Sequence, residues 1–276
     1  MIAFKQIILT DNVEGVNMKR AYADIPEGQI HYRVEGRGNP ILLLHAAVTS
    51  SDEYTRVIPF LSKTYHAIAM DFLGNGDSDP APYPYQISDH ARTVVSFMDS
   101  LGIKKASIVS HSVGTKVAVE FAVTWPDRIN KLVLCGLGIR PEPGEGVPFK
   151  EPPNFTTAVE IKPDGSHLME WWRRATLWGD PSEIAEERLL EYVKAGPRGE
   201  EIHWAGAAYD PKVKLSLINC PTMVLMGTKE PFYSGVEKLK KLIPKAKFTI
   251  IENGSIHVTR NMPKEFAEAV LSFLSD

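Results

Sequence analysis

Three residues of this chain have the types and surroundings that nucleophilic catalysis requires. Ser112 sits in IVSHSVGTKVA (108–118), where an apolar run passes straight into a helical pattern. Such a junction forces a tight strand-to-helix turn that projects the serine at the strand's C-terminal edge, above the new helix N-terminus. Small residues at Ser110 and Gly114 suit that turn, because backbone and helix approach closely around the serine. His257 follows a second apolar run, in NGSIHVTRNMP, and Glu230 follows a third, in GTKEPF. A free hydroxyl is a poor nucleophile at neutral pH. A histidine must take its proton, and a carboxylate must fix the imidazole and stabilise its charged form. Singly, Ser112 reads equally well as a helix cap, and His257 or Glu230 as surface residues. Jointly they outline acyl transfer.

For the three to meet, their strands must lie side by side and end on one edge. Short runs rich in Ile, Val and Leu occur at 41–45, 66–70, 106–110, 131–135, 222–226 and 247–251. Their near-continuous apolarity marks strands buried on both faces of a parallel sheet. Helical patterns alternate with them at 87–102, 113–124, 233–243 and 263–274, which predicts an α/β layer fold. The polar-alternating segments 29–34 and 21–25 read as antiparallel edge strands. Open α/β sheets bind ligands beyond the C-terminal strand ends, where all three candidates fall.

Residues 137–219 break the alternation. An ordinary crossover is far shorter than these 83 residues, which hold nine of the 20 prolines and Trp171, Trp172, Trp178 and Trp204. RPEPGEGVPFKEPPN is expected to be irregular, whereas SHLMEWWRRATLW (166–178) and PSEIAEERLLEYVKA (181–195) read as helices. The segment is expected to be a largely helical cap over one sheet face, dividing the chain into a core of 1–136 and 220–276 and an insertion of 137–219. Its tryptophans suggest an apolar pocket lined by Trp171, Trp172 and Trp178. Ala46 and His111 are added as pocket candidates beside the catalytic loops. Arg173 and Arg174 are adjacent helical charges, expected to face water rather than a substrate.

On these motifs the chain resembles the α/β-hydrolase fold superfamily over residues 20–275. The His-Gly oxyanion motif is present as LLLHAAVTSS, the loop after the fourth strand as DFLGNGDSD (71–79) and the nucleophile elbow as SHSVG. The acid loop is GTKEP and the histidine loop GSIHV. The resemblance implies an eight-stranded, mostly parallel sheet flanked by helices, with a cap inserted after the sixth strand. It implies Ser112 as nucleophile, Glu230 as acid and His257 as base, with Glu142 as the nearest alternative carboxylate. The oxyanion hole would be the N–H groups of Val113 and Ala47, and the family treats the His111 position as variable. The chain departs from the pattern at Ala46, at Ser110, at Glu230 in place of the commoner Asp, and at Ile256 before the histidine. A serine at the elbow separates it from the dehalogenase branch, which uses a carboxylate nucleophile there.

The implied reaction is hydrolysis of a small, largely apolar carboxylic ester through an acyl-enzyme. A C–C bond or thioester hydrolase on the same triad is an alternative. So are a cofactor-free peroxidase-like enzyme and a ligand-binding, receptor-like member with little turnover. No cofactor is expected. No metal is expected either, because DFLGNGDSD lacks the distal glutamate of a calcium loop and His45, His90 and His111 form no close ligand series. A formal net charge of -3 provides no basic field, which argues against a nucleic-acid partner. No apolar stretch approaches 18 residues, and MIAFKQIILTDNVEG has no clear cleavage site, so a soluble cytoplasmic protein acting on a small molecule is expected. Cys135 and Cys220 lie in apolar runs and are expected to be buried thiols in a reducing compartment. A homo-oligomer is allowed but has no support in the sequence.

Overall fold

The apolar runs pair into a single sheet. In the computed structural model, which describes residues 18–139, 158–179 and 181–276, an antiparallel pair, β1 (Lys19–Ile25) and β2 (Gly28–Glu35), forms one edge. The remaining strands are β3 (Pro40–Leu44), β4 (His66–Met70), β5 (Ala106–His111), β6 (Ile129–Cys135), β7 (Thr222–Gly227) and β8 (Lys247–Ile251). The order across the sheet is β1-β2-β4-β3-β5-β6-β7-β8, with β3 to β8 mutually parallel. β3 and β5 thus lie at the centre, with the ends of β5, β6, β7 and β8 side by side.

Strand residues alternate between two cores. Leu42, Leu44, Ile108, Leu132 and Met226 face one side, against α2 (Ile87–Ser100) and α3 (Val113–Thr124). Ile41, Leu43, Val109, Val133 and Leu225 face the other, against α1 (Ile58–Leu61) and α10 (Pro263–Ser275). Full burial of each such side chain contributes about 1.5–3 kcal/mol. That two-faced burial is why these strands read as continuous apolar runs.

Between β6 and β7 lie α4 (Leu168–Ala175), α5 (Ser182–Ala195), α6 (Glu201–Ala208) and α7 (Lys212–Leu215). The sequence pattern predicts the first two, though α4 is shorter than the 166–178 it suggests, and it does not predict α6 or α7. RPEPGEGVPFKEPPN, Glu142 and MIAFKQIILTDNVEG lie outside the described residues. After β7, the turn Tyr233–Gly235 is 3-10, so α8 (Val236–Leu242) starts later than the pattern suggested. A four-residue helix, α9 (Val258–Asn261), begins directly after His257. Cys135 is buried and Cys220 half-buried, both as free thiols, so the expectation of two buried thiols holds for the first alone. Cys220 precedes β7 rather than lying within it, which leaves its side chain partly open.

Candidate active site

Ser112 occupies the one-residue junction between β5 and α3, with φ 51° and ψ -117°. This backbone conformation disfavours any residue with a Cβ and stores on the order of 1–3 kcal/mol of strain. It persists because both sides are fixed: Ser112 N–H donates to Cys135 O at 2.9 Å, and α3 packs directly on β3. An ideal Cβ at Gly114 would lie 2.5 Å from Leu44 O and 2.7 Å from His45 O, so only glycine permits that approach. Ser110, which replaces the usual elbow glycine, is fully buried, and its hydroxyl donates to Val133 O at 2.7 Å. The departure therefore leaves no unsatisfied group at the turn.

The loop bearing Glu230 and the loop bearing His257 are hydrogen-bonded to each other. Thr228 N donates to Ile251 O, Lys229 N to Gly254 O, and Asn253 N to Thr228 Oγ1. A Cβ at Gly227 would lie 2.1 Å from Gly254 O, so the two backbones touch. Both side chains are buried, Glu230 at 5% exposure and His257 at 7%. Burial pushes the Glu230 carboxyl up to about 7, partly offset by the positive charge of His111. Among the described residues Glu230 Oε1 accepts no hydrogen bond, and it faces His111 Nε2 at 4.0 Å.

Residues 45–49 form the loop after β3. His45 Nε2 accepts from Phe72 N–H at 2.9 Å, so its Nδ1 carries the proton and donates to Ala46 O at 2.7 Å. Burial lowers the His45 pKa and keeps the ring neutral. Ala46 N–H is anchored on Glu53 Oε2 at 2.8 Å, and Ala47 is half-buried beside it. Val48 has φ 52°, a genuine outlier for a β-branched residue. Arg188 of α5 donates to its carbonyl at 3.0 Å. Val113 opens α3, so its N–H belongs to the first turn, which has no intrahelical acceptor.

Helices α4 to α6 lie against these loops. Trp171 is buried in a cluster with Val48, Ala175 and Tyr192, against which Ala47 packs. A Cβ at Gly206 of α6 would come within 2.6 Å of Val113 Cγ2. Trp172 and Trp178 are half-buried. Two cavities, of about 250 and 300 Å³, are lined by none of the expected pocket residues; the first lies between residues 73–81 and the α5–α6 turn. Trp171 is packed side chain against side chain rather than facing either cavity. His111 is likewise enclosed, with Nδ1 2.5 Å from Glu53 Oε1, so it belongs to a buried ion pair. Arg174 also departs from expectation. Arg173 is exposed, but Arg174 is buried and bonds Glu200 at 2.9 Å, since neighbouring helical residues point about 100° apart.

The DFLGNGDSD turn is built on Asp71. Its carboxylate takes His31 Nδ1 at 2.8 Å, Ser51 N–H at 2.6 Å and Asp77 N–H at 2.8 Å. Three donor atoms lie within 4.8 Å of one another in two places: His31, Asp71 and Asp77, and His111, Cys135 and Glu230. In the first the Asp71 oxygens are occupied by these bonds. In the second the His111 ring is held by Glu53, and burial keeps the Cys135 thiol protonated.

A family model described as the α/β hydrolase fold matches residues 39–177. The chain belongs to the α/β-hydrolase fold family. Haloalkane dehalogenase 2 of Mycobacterium tuberculosis is 38% identical over 112 residues, 40% of this chain and 39% of that protein. The 2-hydroxy-6-oxo-6-phenylhexa-2,4-dienoate hydrolase of Comamonas testosteroni is 32% identical over 153 residues, 50% of this chain and 54% of that protein. The chain thus spans between two fifths and just over half of the length of these relatives. An enol-lactonase structure from Burkholderia xenovorans LB400 superposes with a TM-score of 0.73 at 21% identity, covering 93% of this chain and all of that one. Among the described residues no helix is long and apolar enough to cross a membrane.

Sequence reasoning did not single out Glu53, Arg188 or Arg260, which hold these loops in place. Arg260 Nη1 bonds Glu187 at 2.5 Å and Nη2 bonds Glu191 at 2.7 Å, tying the helix after His257 to α5. A charged pair separated by 69 residues has no local signature.

Proposed function

We propose that the protein is a serine hydrolase that cleaves a small, largely apolar carboxylic ester through an acyl-enzyme. Ser112 Oγ attacks the carbonyl carbon while His257 takes its proton, and ionised Glu230 stabilises the resulting imidazolium. The N–H groups of Val113 and Ala47 receive the oxyanion. His257 then protonates the leaving alkoxide, and water repeats the sequence on the acyl-enzyme. Residues 137–219 act as the cap over a core of 1–136 and 220–276, and we assign the protein a cytoplasmic location and a small-molecule substrate. The observation that carries the reading is the positive φ of Ser112 at a junction that Gly114 keeps tight. A helix cap needs no such strain, and the Ser112 side chain makes no cap hydrogen bond.

The test is a panel of short p-nitrophenyl esters and thioesters run on the wild type and Ser112→Ala. Turnover that disappears in the variant supports the reading; equal turnover in both overturns it. A second reading, C–C bond hydrolysis on the same residues, is favoured by the likeness to the dienoate hydrolase. Cleavage of a vinylogous 1,5-diketone without turnover of esters would select it.

A further inference from the structure

Glu53 touches, directly or through one residue, every loop that the proposed mechanism uses. It lies in the 3-10 turn Ser51–Tyr54 and is 2% exposed. Its Oε2 accepts from Ala46 N–H and Thr49 Oγ1, each at 2.8 Å, which fixes the loop carrying Ala47. Its Oε1 takes His111 Nδ1 at 2.5 Å, beside Ser112, and Thr259 Oγ1 at 3.3 Å, two residues beyond His257. The other ring nitrogen, His111 Nε2, faces Glu230 Oε1 at 4.0 Å, and neither atom has a hydrogen-bond partner among the described residues. Two buried, unpartnered polar atoms turned toward one another in a low-dielectric interior are costly unless they carry opposite charge.

The charges supply that condition. Burial opposes ionisation of Glu53, but the facing His111, its hydrogen bond and Ala46 N–H hold the carboxyl well below the usual range. Burial would strip the proton from His111, yet the Glu53 carboxylate outweighs it and raises the ring's pKa. The remaining groups around His111 do not reverse this. Arg188 on α5 opposes the proton but is bound to Val48 O and Glu191, and the Cys135 thiol stays neutral. Arg260 on α9 favours the Glu53 anion. We infer that Glu53 and His111 are positioning residues: Glu53 keeps His111 an imidazolium, and that cation keeps the buried Glu230 ionised where the reaction runs. The inference rests on Glu230 as the acid of the proposed triad.

His111→Gln retains a side-chain N–H for Glu53 and removes the charge. The acid limb of its kcat/KM profile should move up by about one pH unit, a roughly tenfold loss on that limb that is recovered by pH 9. Recovery with pH is not expected from mere structural damage. Independently, 15N-imidazole NMR of the wild type should show His111 doubly protonated at pH 7.5, and singly protonated in Glu53→Gln. A loss in His111→Gln that is uniform with pH, an unmoved limb, or a neutral His111 in the wild type would overturn the inference. Glu230→Gln separates the two layers. Near-full activity in that variant would overturn the triad assignment itself, whereas an inactive Glu230→Gln with an unmoved His111→Gln limb would overturn only the role given to His111.

Discussion

The elbow at Ser112 and the loop at residues 45–49 each hold one residue at positive φ, but different forces hold them. At Ser112 the constraint is backbone on backbone: the β5–β6 pairing on one side and Gly114 against the Leu44 and His45 carbonyls on the other. At Val48 it is side-chain charge: Glu53 anchors Ala46 N–H, and Arg188 reaches from α5 to the Val48 carbonyl. A steric constraint does not titrate and is not screened by salt. An electrostatic one couples the loop to pH and to the placement of α5. The hydrolase fold here combines a rigid turn at Ser112 with a loop at residues 45–49 that is held from a distance.

Several substitutions separate these two modes. Ser112→Ala should lower ester kcat by about 10⁶-fold with the fold intact, measured beside circular dichroism. Glu230→Gln should lower kcat by about 10⁴-fold, and it also has a stability signature. The folded pKa of Glu230, about 7, lies above its ordinary 4.5, so the native state holds an extra proton between those values. Ionisation of the native carboxyl therefore costs stability as pH rises through that window, and the cost is complete above about 7. Glu230→Gln should accordingly be more stable than wild type at pH 8, by up to about 3 kcal/mol, and equal to it at pH 4 in urea melts.

Gly114→Ala should destabilise the protein by about 1–3 kcal/mol, because carbonyl oxygens cannot yield as side chains do. That loss should be the same at pH 6 and pH 8 and at low and high salt. A marked dependence on either would show that the elbow is not purely steric. Val48→Gly should have the smallest effect. Relief of the left-handed conformation is offset by the entropy of glycine and by loss of the buried Val48 side chain that packs on Trp171, so stability should fall by about 1 kcal/mol while kcat falls a fewfold. An unchanged kcat would mean that the strained loop has no part in holding the oxyanion.

The same contrast explains what the sequence made legible. Strand runs such as ILLLH and KLVLC announce themselves because burial on two faces leaves no polar alternation, and the elbow is contained within eleven residues. Ser110, Gly114 and Ser112 are neighbours along the chain, so their geometry follows from local pattern. Glu53 and His111 are 58 residues apart, Val48 and Arg188 are 140 apart, and each meets its partner only after the sheet and α5 have assembled. Arg174 reads as solvent-facing beside Arg173, because its partner Glu200 lies 26 residues on. The three tryptophans read as pocket wall because aromatic content reports burial but not what is buried against it; Trp171 packs on the Val48 loop itself. The predicted triad rests on strand ends that the structure places side by side, and its chemistry remains the proposal to be tested.

The central claim is that Ser112 is an activated nucleophile. Wild type and Ser112→Ala should be treated with a small alkyl fluorophosphonate and analysed by intact mass and peptide mapping. The account predicts one adduct per chain, on the peptide containing Ser112, and none in the variant. An adduct of equal yield in Ser112→Ala, or an unlabelled wild type that still turns over esters, would contradict it.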